Sequence, residues 1–143
     1  AYFDGKIFFT TTNDHRVWLY NPKENNLSIF YDGKGSFDIT SPLKWLKSWR
    51  NENQDKQLQS PDQITVSAGG FPLVAEDGDN NELCFLDHQG FAKPLIRLEG
   101  HWLSEITGPA FSPDGSRLYF SSQRGKSGSR SDGGITFEIK RKV

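Results

Sequence analysis

No methionine occurs anywhere in the 143 residues, and there is a single cysteine, Cys84. One cysteine excludes an internal disulfide framework and leaves the redox compartment open. Apolar runs are only a few residues long, so nothing approaches the ~20 residues of a membrane-crossing helix or the core of a signal peptide. Neither sign of charge prevails. The 17 Lys and Arg against 18 Asp and Glu leave a net −1, without the basic surplus that a nucleic-acid or anionic-membrane partner requires. The missing methionine and the opening Ala1-Tyr2-Phe3 lead us to expect a segment of a longer precursor, or else a processed mature chain. Any export signal would then lie upstream.

Aromatic residues are plentiful. Eleven Phe, four Trp and four Tyr in a chain only 34% hydrophobic argue for half-buried strands and against disorder. One pattern recurs three times. Gly5 to Thr10 leads through Asn13-Asp14 to Arg16-Val17-Trp18-Leu19-Tyr20; Gly70 to Glu76 leads through Asp77 to Asn81 into Glu82-Leu83-Cys84-Phe85-Leu86. Ser116 to Ser121 leads through a Gly/Ser-rich loop to Gly134-Ile135-Thr136-Phe137-Glu138-Ile139. Further short strands flank these hairpins at 27–31, 64–67, 93–96 and 109–112. Gly, Pro, Asn and Asp fill the gaps, as strand-turn-strand chemistry requires.

The chain therefore reads as all-β, in about three units of four antiparallel strands. Ile7, Leu73 and Leu118 recur at spacings of 66 and 45 residues. The shorter fits a β-propeller blade of about 40–50 residues. The longer fits a blade with an insert at about 35–61, whose Pro42 to Trp49 stretch suggests a helical turn. A plain sandwich can also be built from such units; the spacing favours a propeller. Closed rings take about 4–8 blades, so three make a fragment.

In a propeller, residues just before the innermost strand of each blade stand at the mouth of the central channel. Glu105 holds such a place in the third unit, with Asp62 near it in the second. Glu76 ends the second strand of its own unit. Carboxylates converging on one axis repel unless cations sit between them, and oxygen-rich sets suit calcium. Solvated turn acids would look the same. The run Asp77 to Glu82 lacks the glycine and closing glutamate of an EF-hand loop and reads as a hairpin turn. Residues 121–134, with Arg124, Lys126 and Arg130, suit a phosphate cradle or a surface loop; P-loop spacing is absent. His15, His88 and His101 show no zinc spacing, and Cys84 reads as a small buried hydrophobe.

Three stretches resemble the C-terminal part of PhoX-type alkaline phosphatases. They are Asp62-Gln63-Ile64-Thr65-Val66-Ser67, Ala75-Glu76-Asp77-Gly78, and Ser104-Glu105-Ile106-Thr107-Gly108-Pro109-Ala110-Phe111-Ser112-Pro113-Asp114-Gly115. Phe120-Ser121-Ser122-Gln123-Arg124-Gly125 and Gly134 to Glu138 are similar to that family's end, and Phe9 to Thr12 with Arg16-Val17-Trp18 to an earlier blade. The resemblance implies a six-bladed propeller of the bacterial periplasm or exterior that hydrolyses phosphomonoesters with calcium and iron. It implies Glu76 and Glu105 as metal ligands, and Asp62 with them. The family's iron-ligating cysteine belongs to the other half of the ring, and Cys84 does not match it. A half-ring further implies self-association or pairing with the missing half.

Overall fold

The computed structural model describes residues 1–33, 58, 60–77, 81–131 and 133–140. These residues form eleven strands, with no helix among them. They fall into three antiparallel meanders. Sheet 1 holds β1 (Tyr2–Phe3), β2 (Lys6–Thr11), β3 (Arg16–Asn21) and β4 (Asn26–Asp32). Sheet 2 holds β5 (Pro61–Val66), β6 (Pro72–Glu76), β7 (Glu82–Leu86) and β8 (Ala92–Arg97). Sheet 3 holds β9 (Ile106–Phe111), β10 (Arg117–Ser122) and β11 (Ile135–Lys140). The all-β reading and the hairpin pattern are thus borne out.

Local chemistry explains the turns. Between β1 and β2 the two connecting residues, Asp4 and Gly5, both take positive φ, 45° and 77°, which is the tight hairpin turn that Asp-Gly favours. At the β9–β10 turn Asp114 accepts from Ser112 Oγ at 2.5 Å and from Ser116 N–H at 3.0 Å. Those donors, together with the Ser116 hydroxyl, pull its carboxyl down to about 2. The Ser-Pro-Asp-Gly stretch is accordingly a self-contained turn, closed by Gly115 N–H to Ser112 C=O at 2.8 Å.

Sheet 2 lies between the other two. One of its faces sends Val74, Cys84, Leu86 and Ala92 against Val17 and Tyr31 of sheet 1, with Leu58. The opposite face sends Leu73, Ala75 and Leu83 against Ile106, Leu118 and Phe120 of sheet 3. This double burial explains why β6 and β7 read as nearly continuous apolar runs, where strands with one wet face alternate. Side-chain bonds stitch β2 to β5 and β5 to β9 across neighbouring sheets. Thr10 Oγ1 donates to the Asp62 carbonyl at 2.6 Å, and Gln63 Nε2 donates to Thr107 Oγ1 at 2.7 Å.

Three details differ from the sequence reading. Sheet 1 gains β1, a two-residue strand too short to leave a periodic signal. Sheet 3 has three strands among the described residues where four were expected. Strand β5 begins at Pro61, so Asp62 sits inside it and not before it. The 42–50 helical turn and most of the insert fall outside the described residues. No helix among the described residues is long and apolar enough to cross a membrane.

Candidate functional site

Glu105 stands immediately before β9, and its carbonyl accepts from Gln123 N–H at 3.0 Å. That bond extends the β9–β10 ladder by one step and fixes the backbone from which the side chain springs. The carboxyl feels the side chain of Asp77 more strongly than any other charged group. Burial first, then the Asp77 side chain, raise Glu105 above its ordinary 4.5; Asp62 adds to the rise and Arg124 opposes it. Asp62 and Glu105, expected together, are linked only through charge, Asp77 acting on Glu105 more strongly than Asp62 does; among the described residues the carboxylates close enough to share one ion lie elsewhere.

Glu76 is elsewhere. Successive strand residues point to opposite faces, so Glu76 shares the sheet 1 side with Val74, whereas Asp77 follows Leu73 and Ala75 toward sheet 3. Glu76 is wholly buried. It lies with buried Glu82 and Cys84, one ligand-type atom of each within 4.8 Å of the others. The Cys84 sulfur is 3.9 Å from Glu76 Oε2 and from Glu82 Oε2. Arg97 Nε donates to Glu82 Oε1 at 2.8 Å. Nearby, burial raises the Tyr31 hydroxyl above its ordinary value, and the Glu76 charge adds to the rise; that hydroxyl accepts from Leu58 N–H at 2.6 Å.

The two sets of side chains differ in donor chemistry. Asp62, Asp77 and Glu105 offer only oxygen, as calcium demands. Glu76, Glu82 and Cys84 mix a thiol with two carboxylates, a set that suits iron or zinc better than calcium. Cys84, read as a plain hydrophobe, is buried as expected but has carboxylates for company. Its signal was visible in Glu82-Leu83-Cys84, since residues two apart share a strand face.

A third buried polar group escaped the sequence reading. His101 Nδ1 and the Ser122 hydroxyl are 2.7 Å apart, and Ser122 Oγ is 2.8 Å from Ser104 Oγ. Arg124 N–H donates to that Ser104 oxygen at 2.8 Å, and Asn81 Nδ2 donates to the His101 carbonyl at 2.9 Å. Ser122 is fully buried, so this chain of bonds braces the approach to β9. It offers no exposed nucleophile. Comparison with known proteins returns no matching family, no matching curated protein and no matching solved structure.

Proposed function

We propose that the three sheets are consecutive blades of a β-propeller and carry part of a calcium- and iron-dependent phosphomonoesterase site. The observation that carries this reading is the electrostatic setting of Glu105 at the start of β9, where the charges of Asp77 and Asp62 hold its proton and that of Arg124 opposes them. In this reading calcium is held by Glu105 with the acids that act on it, and iron by Glu76, Glu82 and Cys84. Bound metals would draw the phosphate oxygens and stabilise the charge growing on the transferring group. The chain's own residues supply carboxylates that repel one another until a cation arrives, and a cationic side chain, Arg124, that orients an anion. A periplasmic or extracellular setting accompanies this reading.

A second reading, a non-catalytic propeller module cemented by metal, draws on the burial of Glu76, which seals its cluster away from solvent. Metal analysis combined with hydrolysis of an aryl phosphate separates the two. Iron with calcium, and hydrolysis that stops on calcium removal, is the result expected of the enzyme. Calcium alone without hydrolysis is expected of the scaffold, and a metal-free protein would sink both.

The partner we propose is a second copy of this chain. The outer face of sheet 1 aligns Ile7 with Tyr20, Phe9 with Trp18, Trp18 with Ile29 and Tyr20 with Leu27. Leu27 and Ile29 are 52% and 45% exposed. Arg16, paired with Asp14 and Asp32, forms a charged rim. An apolar aromatic centre inside a charged rim is the composition of an interface. The outer face of sheet 3 is polar, pairing Arg117 with Lys140, Tyr119 with Glu138 and Ser121 with Thr136. Head-to-tail stacking is thus mismatched, and sheet 1 against sheet 1 is favoured. Four strands at ~4.8 Å by six residues at ~3.3 Å present roughly 400 Å², about half the ~800 Å² per partner of a standard interface. The dimer should be weak, appearing at micromolar concentrations in light scattering and vanishing in Phe9→Glu. A wild-type monomer at high concentration would overturn it.

A further inference from the structure

We propose that Gln123, Arg124 and Arg130 form an oxyanion-binding pocket for a phosphate or phosphomonoester group, beside Glu105. The three residues line a cavity of about 410 Å³, within the roughly 300–1,000 Å³ typical of small-ligand sites. Among the described residues neither guanidinium is in an ion pair. Arg124 commits one Nη1 bond, to the Leu103 carbonyl at 3.5 Å, leaving most of its five donors for a ligand. Two guanidinium forks and one side-chain amide match a tetrahedral dianion, whose oxygens accept paired hydrogen bonds.

The backbone holding this pocket is fixed. Gln123 N–H is tied to the Glu105 carbonyl and Arg124 N–H to Ser104 Oγ. Beyond them the loop turns back, with Gly128 N–H donating to the Arg124 carbonyl at 3.1 Å. Gly125, at φ +57°, lies so close to Gly133 that an added Cβ would meet the Gly133 carbonyl oxygen at 1.8 Å. A Cβ on Gly133 would meet the Arg124 carbonyl oxygen at 2.1 Å. The loop ends are therefore pinched together, and the pinch presents Arg124 from a defined backbone. The Gly- and Ser-rich composition serves this closure.

The anion's use in phosphoryl chemistry rests on the proposed function; its binding does not. Inorganic phosphate and phenylphosphonate, added to the chain in the presence of EDTA, should each give saturable shifts of backbone amide resonances in residues 123–134. Tighter phenylphosphonate binding would identify the ester as the natural source, and equal binding the free ion. Arg130→Ala, an exposed change that leaves the core intact, should weaken binding at least 10-fold, and Arg124→Ala more. Shifts that do not saturate, or wild-type affinity in both variants, would overturn the pocket. Saturable phosphate binding without any hydrolysis would remove the phosphatase reading and leave this site standing. Calcium binding at Glu105 without phosphate shifts would remove this site alone.

Discussion

Replacing Glu105 by glutamine should weaken calcium binding by at least ~10- to 100-fold, the loss that follows even from changing groups that only support a ligand. Glutamine keeps the size and one oxygen but supplies no charge against the cation. Hydrolysis of an aryl phosphate, if the chain performs it, should fall at least as far. The pH dependence gives an independent readout. Glu105 is raised above 4.5 in the fold, so the proton is held more tightly there than in the unfolded chain. Without metal, the stability from this group is fully present below 4.5 and is lost as pH rises through the raised value. Calcium competes with that proton, so wild-type affinity should climb with pH across the same window. In Glu105→Gln the climb should flatten, while metal-free stability near neutral pH stays within about 0.5 kcal/mol of wild type, as for a surface change. Wild-type calcium affinity with an unchanged pH profile would sink the ligand assignment.

The strands were legible because their chemistry is local. Alternation in Arg16-Val17-Trp18-Leu19-Tyr20 and the Asp-Gly and Asn-Asp turns mark hairpins without reference to the rest of the chain. Which face of a strand meets which neighbour is a long-range fact, and there the sequence spoke only in part. Grouping Glu76 with Glu105 overlooked the period of two, which puts Glu76 and Asp77 on opposite sides of the same sheet. Asp77 is the residue that reaches Glu105, and a reading of Leu73, Ala75 and Asp77 as one stripe would have found it. The His101, Ser104 and Ser122 network has no sequence signal, because its members come from one loop and the end of a strand brought together only by packing. The pinch of Gly125 against Gly133 was equally hidden: glycine richness alone does not distinguish a loose loop from one closed by backbone contact.

Leu73→Ala should produce the largest loss of stability from one substitution in the core. Leu73 is fully buried. It opposes Thr65 on one side and Phe85 on the other within sheet 2, and it packs with Ile106, Leu118 and Phe120 of sheet 3. Truncation removes the transfer energy of the lost carbons and leaves a cavity that β6, held between two sheets, can do little to close. The expected cost is about 3 kcal/mol, within the ~2–5 kcal/mol for buried leucines. At roughly 3–5 °C per kcal/mol for a domain of this size, the melting temperature should drop by about 10–15 °C. Ile29→Ala, on the exposed outer face of sheet 1, serves as the control and should cost under about 1 kcal/mol in the monomer. The contrast tests the stacking of sheets 2 and 3 directly. If the sheets did not pack face to face, Leu73 would lie on a wet surface and its truncation would cost no more than that of Ile29. Equal melting temperatures for the two variants would therefore overturn the arrangement that brings Asp77 to Glu105.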